Sequence, residues 1–261
     1  AGLSPGQAAV VITVAKVWDA VSDPIVGRLS DRTNTSMGAR RPWILGATLP
    51  CMGLFALLWV GLPFHGVALV AAYTAILMLF NTAYTAVVVP YGALTPALTT
   101  DYDERTRLNG ARMLWSMVGG IIASIVVPMA HEVTGTYATG AWALAVVGIV
   151  PLLIAVWATA GRDRSSFGTA PPVSMWSVLK VRAFRRTALL FLAAWSSIAV
   201  LGSLVPFYAQ IRLGRPDLVV AMLAAIQISA MVSIPLVIRL AAVAEKHTAY
   251  AVSVVAWAFV L

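Results

Sequence analysis

The stretch KVWDAVSDPIVGRLSDR, residues 16–32, closes the first strongly apolar segment of the chain yet carries Lys16, Asp19 and Asp23 within it. In lipid, an unpaired charge at helix centre costs about 2.5–3.5 kcal/mol on insertion scales. Each of the three therefore needs a reason to be there. Their surroundings leave little doubt about the setting. Of 261 residues, 60% are hydrophobic and only 11% charged, and the mean hydropathy is +0.87. A soluble domain carries roughly 25% charged residues. The apolar residues also come in blocks of about 20, the length that crosses a hydrocarbon core as helix. The fold class is an all-α membrane protein with several spans.

Seven complete spans and part of an eighth are expected, at about 5–29, 43–63, 67–99, 111–131, 138–160, 187–210 and 217–242, then from 247 onward. The loops alternate in charge. The first holds Arg28, Arg32, Arg40 and Arg41, and the third holds Arg105 and Arg107. The fifth holds Arg162, Arg164, Lys180, Arg182, Arg185 and Arg186, and Lys246 follows the seventh span. GLPFHG and HEVTGTYATG, between them, have no Lys or Arg; RLGRPD is the exception. By the positive-inside rule the basic loops are cytoplasmic. The net charge of +8 is thus spread over short loops instead of one stripe, which argues against a nucleic-acid partner. The lone Cys51 excludes a disulfide framework.

Residues 161–186 divide the chain. GRDRSSFGTAPP has linker composition, and SMWSVLKVRAFRR sets apolar residues beside basic ones, as an interfacial helix does. The expected organisation is an N-terminal bundle over 1–160, a cytoplasmic linker over 161–186 and a partial C-terminal bundle over 187–261. VSDPIVGRLS at 21–30 lines up with VSIPLVIRLA at 232–241, as parallel repeats of two transporter halves would. At the same offset Lys16, Asp19 and Asp23 become Gln227, Ala230 and Ile234. The helix does not need those charges in order to be a helix.

On a helix, positions 16, 19 and 23 fall within about 60° of one another, and the two acids lie about 6 Å apart along the axis. Two carboxylates so close destabilise each other unless a cation or a proton sits between them. Na⁺ would take oxygen ligands there; a proton would leave a carboxylic acid. Ser22, beside the pair, and Thr85, in NTAYTAVVVPYGALTP, offer neutral oxygens. The alternative is an internal ion pair of Lys16 with Asp19, leaving Asp23 to Arg112 or to water. Asp31 has Arg32, Arg40, Arg41 or Arg105 as partners for a cytoplasmic gate, with Gly27 and Gly38 allowing close approach and a tight turn. No enzyme is expected: there is no second-helix partner or GxGD signature for an intramembrane aspartyl protease, and no nucleophile set. A retinal Lys in a final helix is also lacking.

GRLSDRTNTSMGARR resembles the loop signature of the major facilitator superfamily. WDAVSDPIVGRLSDRT followed by RRPW is similar to the glycoside–pentoside–hexuronide:cation symporters, the group containing the melibiose permease, and YTAVVVPYGALTP and DYDERTRLNGAR fit the same group. The resemblance covers the whole chain as family helices two to eight and the start of nine, a truncated piece of an expected twelve. It implies alternating access, a cation site and a central sugar site. By position, Asp19, Ser22, Asp23 and Thr85 match the cation ligands, Asp19 and Asp23 holding Na⁺ if that is the ion. Tyr84 and Arg112 match residues lining the sugar cavity, and Lys16 matches a basic residue before the acids. Val88 and Gly92 stand where the melibiose permease has a sugar-binding Asp and a Trp, which weakens the case for galactosides.

The functional expectation is a cation-coupled (Na⁺ or H⁺) secondary transporter of a sugar or glycoside, with a lysolipid or other amphiphile as the alternative cargo. A non-transporting scaffold or sensor is the distant alternative. No cofactor beyond the coupling ion is expected. The partners are a small solute, a monovalent cation and lipid, and the protein is expected to act as a monomer in a bacterial cytoplasmic membrane.

Overall fold

Ser4 opens the first helix with a reciprocal cap. Its hydroxyl accepts from Gln7 N while Gln7 Oε1 accepts from Ser4 N at 2.9 Å, and Pro5 takes the first helical position. A computed structural model describes residues 2–161, 175–215, 217–243, 248 and 250–255. Within them the helices are α1 (Pro5–Arg32), α2 (Arg41–Leu57), α3 (Gly66–Leu98), α4 (Tyr102–Thr134), α5 (Tyr137–Ala158), α6 (Met175–Lys180), α7 (Arg182–Phe207) and α8 (Leu218–Val243). A π-helical turn, Tyr208–Arg212, ends α7.

Five of these segments are long and apolar enough to cross a membrane: 66–98, 102–134, 137–158, 182–212 and 218–240. Two expected spans do not qualify on those terms. With 17 residues, α2 is short, because it ends at Leu57 and not near 63; Trp59 and Val60 close a turn onto Ala56 and Leu57 carbonyls. The 28 residues of α1 suffice in length, but its charges dilute its hydropathy.

Other boundaries moved for local reasons. Residues 102–110, expected as loop, are the first turns of α4. Asp101 caps them, its carboxylate accepting from Asp103 N and Glu104 N, and two acids in the first turn favour a helix N-terminus. The interfacial helix is confined to the six residues of α6, and α7 starts at Arg182, five residues earlier than expected. Residues 162–174 of the linker, with Arg162 and Arg164, lie outside the described residues. So do Lys246, His247 and most of the eighth segment.

The chain divides into two compact units, one of residues 1–109 with 125–167, the other of 110–124 with 168–261. In the first unit α3 is central and packs on both α1 and α2, while α2 also packs on α5. Ile44, Cys51, Val87, Leu94 and Val156 form its core. Val11, Leu69 and Tyr73 close the other end of the α1–α3 seam, where the Tyr73 hydroxyl donates to Val60 O at 3.0 Å. Between lipid-embedded helices packing and hydrogen bonds, rather than water exclusion, drive association. Accordingly α5 meets α4 at Gly140, where an added Cβ would lie 2.9 Å from Val127 Cα. In the second unit α8 meets Gly110 through Ile238 and Gly120 through Gln227. Gln227, the repeat counterpart of Lys16, thus packs against a glycine.

Candidate functional site

The α1–α3 seam brings the predicted cation residues together. Thr85, buried on α3, donates from Oγ1 to Asp23 Oδ1 at 2.7 Å. One turn earlier on α1, Lys16 Nζ stands 2.9 Å from Asp19 Oδ2. The internal ion pair weighed from the sequence is therefore realised for Asp19, while Asp23 is met by a hydroxyl. Asp19 Oδ1 is buried and accepts no hydrogen bond among the described residues. A buried carboxylate oxygen without a donor costs about 1–3 kcal/mol or more. Buried Ser22 leans weakly on its own helix, Oγ to Asp19 O at 3.4 Å. Pro24, directly after Asp23, removes one helical N–H at this level. No group of three or more His, Cys, Asp or Glu forms among the described residues. Carboxylate and neutral oxygen donors suit hard cations over soft ones.

One seam residue, Trp18, was not singled out from the sequence, and Thr82 stood out only as part of the polar run on α3. Trp18 Nε1 donates to Thr82 Oγ1 at 2.8 Å, and Thr82 donates on to Met78 O. This pins α1 to α3 immediately beside Asp19. The signal was present, since Trp18 abuts Asp19 and Thr82 belongs to the polar run NTAYT. Asn81 is buried one turn before Thr85 on the same helix face.

The other predicted residues are dispersed. Lys16 points outward, 71% exposed against 20% for Asp19. Tyr84 is half exposed and lies against Phe80, with ring centroids 5.9 Å apart. From Phe80 the rings continue through Phe55 and Trp59 to Tyr137, at spacings of 6.1, 6.4 and 6.3 Å. They line a cavity of about 700 Å³ together with Leu58, Gly61, Gly135 and Thr136. Arg112 belongs to the second unit.

The basic loop resolves which Arg does what. Asp31 pairs with Arg40 at 3.5 Å, the acid 64% and the base 15% exposed. Arg41 instead donates to Val156 O on α5 at 2.8 Å and to Met37 O. Arg105 turns to the end of its own corner, donating to Thr99 O and Pro96 O. Trp43 Nε1 donates to Thr33 Oγ1 at 2.7 Å. Gly38 has φ +94°, a left-handed value, and the Thr35 hydroxyl donates to its carbonyl. Gly27 departs from expectation. A Cβ there would meet Val89 Cγ1 at 3.7 Å, ordinary contact, so close approach does not require glycine.

Magnitudes rank these contacts. An exposed ion pair contributes about 0–1 kcal/mol, whereas hydrogen bonds to charged groups contribute about 1.5–3 kcal/mol. Asp31→Asn is therefore expected to shift thermal unfolding of the detergent-solubilised full-length protein only slightly. Arg41→Ala should lower it by several degrees in the same assay. Equal shifts would reverse the ranking.

Five helices long and apolar enough to cross a membrane, with α1 packed against one of them, define a multi-pass membrane protein. Residues 1–261 match the family of MFS/sugar transport proteins, and the chain belongs to that family. It is 42% identical over 132 residues to an uncharacterized symporter of Synechocystis sp., covering 48% of this chain and 24% of that protein. It is 28% identical over 237 residues to the inner membrane symporter YicJ of Escherichia coli, covering 85% and 50%. With the sodium-dependent lysophosphatidylcholine symporter 1-A of Danio rerio it shares 36% identity over 127 residues, covering 48% and 24%. The chain spans half or less of the length of these relatives.

Proposed function

We propose that the full-length protein is a secondary active symporter that couples a small monovalent cation, Na⁺ or H⁺, to uptake of a sugar- or glycoside-type solute by alternating access. The carrying observation is the seam itself. Asp23 is held by Thr85 while the neighbouring Asp19 keeps one buried oxygen without a donor among the described residues. In this reading Asp19, Ser22, Asp23 and Thr85 bind the ion. Lys16, Tyr84 and Arg112 contribute to the solute cavity, and Asp31, Arg32, Gly38, Arg40, Arg41 and Arg105, with Gly27, shape the cytoplasmic side. An ion that binds one conformation better shifts the equilibrium by its differential affinity alone, and neutralising two adjacent carboxylates supplies such a difference. The two bundles flank the 161–186 linker, and the protein works as a monomer in a bacterial cytoplasmic membrane.

The family description favours a sugar. A second reading, an amphiphilic cargo, has its own observations. Val88 presents an apolar, 40% exposed side chain where a carboxylate would serve sugar hydroxyls. Among the described residues the cavity from Phe55 to Tyr137 has no charged lining residue, and one relative is named for lysophosphatidylcholine. Equilibrium binding of a panel of glycosides and lysolipids to the full-length protein, with Na⁺ or choline and at two pH values, separates the readings. Glycoside binding that is strengthened by Na⁺ or by acid supports the first. Lysolipid binding alone selects the second, and cation-independent binding of either removes the coupling.

A further inference from the structure

Asp19 is satisfied by halves. Its Oδ2 faces the Lys16 ammonium at 2.9 Å, and its Oδ1 is buried with no donor among the described residues. The partner on the satisfied side lies on the same helix. Lys16 is largely exposed, on a flexible four-carbon stem, and its ammonium is a compact +1 charge. Across the next turn, Asp23 is positioned by Thr85 from another helix and does not depend on Lys16. The acid pair therefore has one member held from another helix and one member whose countercharge lies on its own helix.

We infer that Lys16 is a tethered competitor of the coupling cation: it neutralises Asp19 when no ion is bound, and Na⁺ binding between Asp19 and Asp23 releases its ammonium from Asp19. The inference rests on the cation-site reading above and adds the regulation of that site. The Lys16 ammonium donates to Oδ2 in this structure, whereas Na⁺ takes oxygen ligands from both acids and from neutral hydroxyls at once. The ion can thus satisfy Oδ1, which Lys16 leaves bare. Because Lys16 is three residues away on the same helix, its competition is intramolecular and always present. A bound ion must exceed that standing competition. When the ion departs, the lysine returns, so the pair is never left as two bare carboxylates.

The test uses the full-length protein in detergent at fixed pH and Na⁺ as the probe. Equilibrium binding of radioactive Na⁺ is compared for wild type, Lys16→Met and Lys16→Arg. In parallel, acylation of Lys16 by an amine-reactive reagent is followed by peptide mass spectrometry in Na⁺ or choline. Expected are about tenfold tighter Na⁺ binding by Lys16→Met, near-wild-type binding by Lys16→Arg, and severalfold faster acylation of wild-type Lys16 in Na⁺. The acylation arm separates release of the ammonium from a simple field effect, and it stands even if Lys16→Met does not fold. Wild-type Na⁺ binding that Lys16→Met leaves unchanged or weakens overturns the inference alone, as does acylation indifferent to Na⁺. Absence of Na⁺ binding by wild type and both variants overturns the Na⁺ site itself, and the inference with it.

Discussion

Asp23→Asn in the full-length protein is expected to lower ion-driven solute accumulation at least tenfold while leaving membrane insertion intact. The asparagine carbonyl can still accept from Thr85 Oγ1, so the 2.7 Å link between α1 and α3 survives. What disappears is the charge. A hydrogen bond to a charged group contributes about 1.5–3 kcal/mol against about 1 kcal/mol for a neutral one, and direct ligation of the ion by a carboxylate is lost with it. Each 1.4 kcal/mol is a factor of ten in affinity. Accumulation is measured in vesicles against an imposed Na⁺ or proton gradient, with insertion followed by a fluorescent tag. Undiminished accumulation would remove Asp23 from the coupling site. Thr85→Val, which deletes the hydroxyl and keeps the charge, should give a smaller loss in the same vesicles.

Gly140→Leu should be the most damaging substitution for folding in the first unit. Even the Cβ of an alanine would stand 2.9 Å from Val127 Cα, 3.1 Å from Ala130 Cβ and 3.4 Å from Val127 O. The first and last of these are backbone atoms, so relief requires α4 and α5 to separate. Overpacking a tight contact costs about 1–3 kcal/mol, and this outweighs the gain of up to about 1 kcal/mol from replacing a helical glycine by alanine. Gly53→Ala, where a Cβ meets nothing within 4 Å, is expected to be neutral or slightly stabilising. Folded yield by fluorescence size-exclusion should drop severalfold for Gly140→Leu and not for Gly53→Ala. Similar yields would mean that α5 does not depend on this close approach.

Sequence alone carried much of this architecture, for identifiable reasons. Apolar blocks with Arg-rich loops between them became helices because hydrocarbon leaves no other way to satisfy the backbone. The Lys16–Asp19 pair was readable because i,i+3 spacing on a helix leaves few options. The start of α4 was misplaced because DYDERTRLNG looks like solvated loop by composition, while Asp101 and the acids after it are a helix start. The meeting of Asp23 with Thr85 spans 62 positions, and no periodicity encodes it; the polar run around Thr85 offered an oxygen, and the family resemblance matched both residues to cation ligands. Arg41 was assigned to the gate, yet its acceptor is the Val156 carbonyl. A main-chain oxygen leaves no mark in a string of side chains, so that contact was invisible until α2 and α5 were seen side by side.

That same guanidinium has a mechanical meaning. Arg41 to Val156 O, Trp43 to Thr33 and Arg40 to Asp31 fasten the ends of α1, α2 and α5 at three points around one short loop. Several contacts on one corner resist bending better than one, so a spin label placed on the loop should keep a constant spacing to the end of α5 with and without added Na⁺.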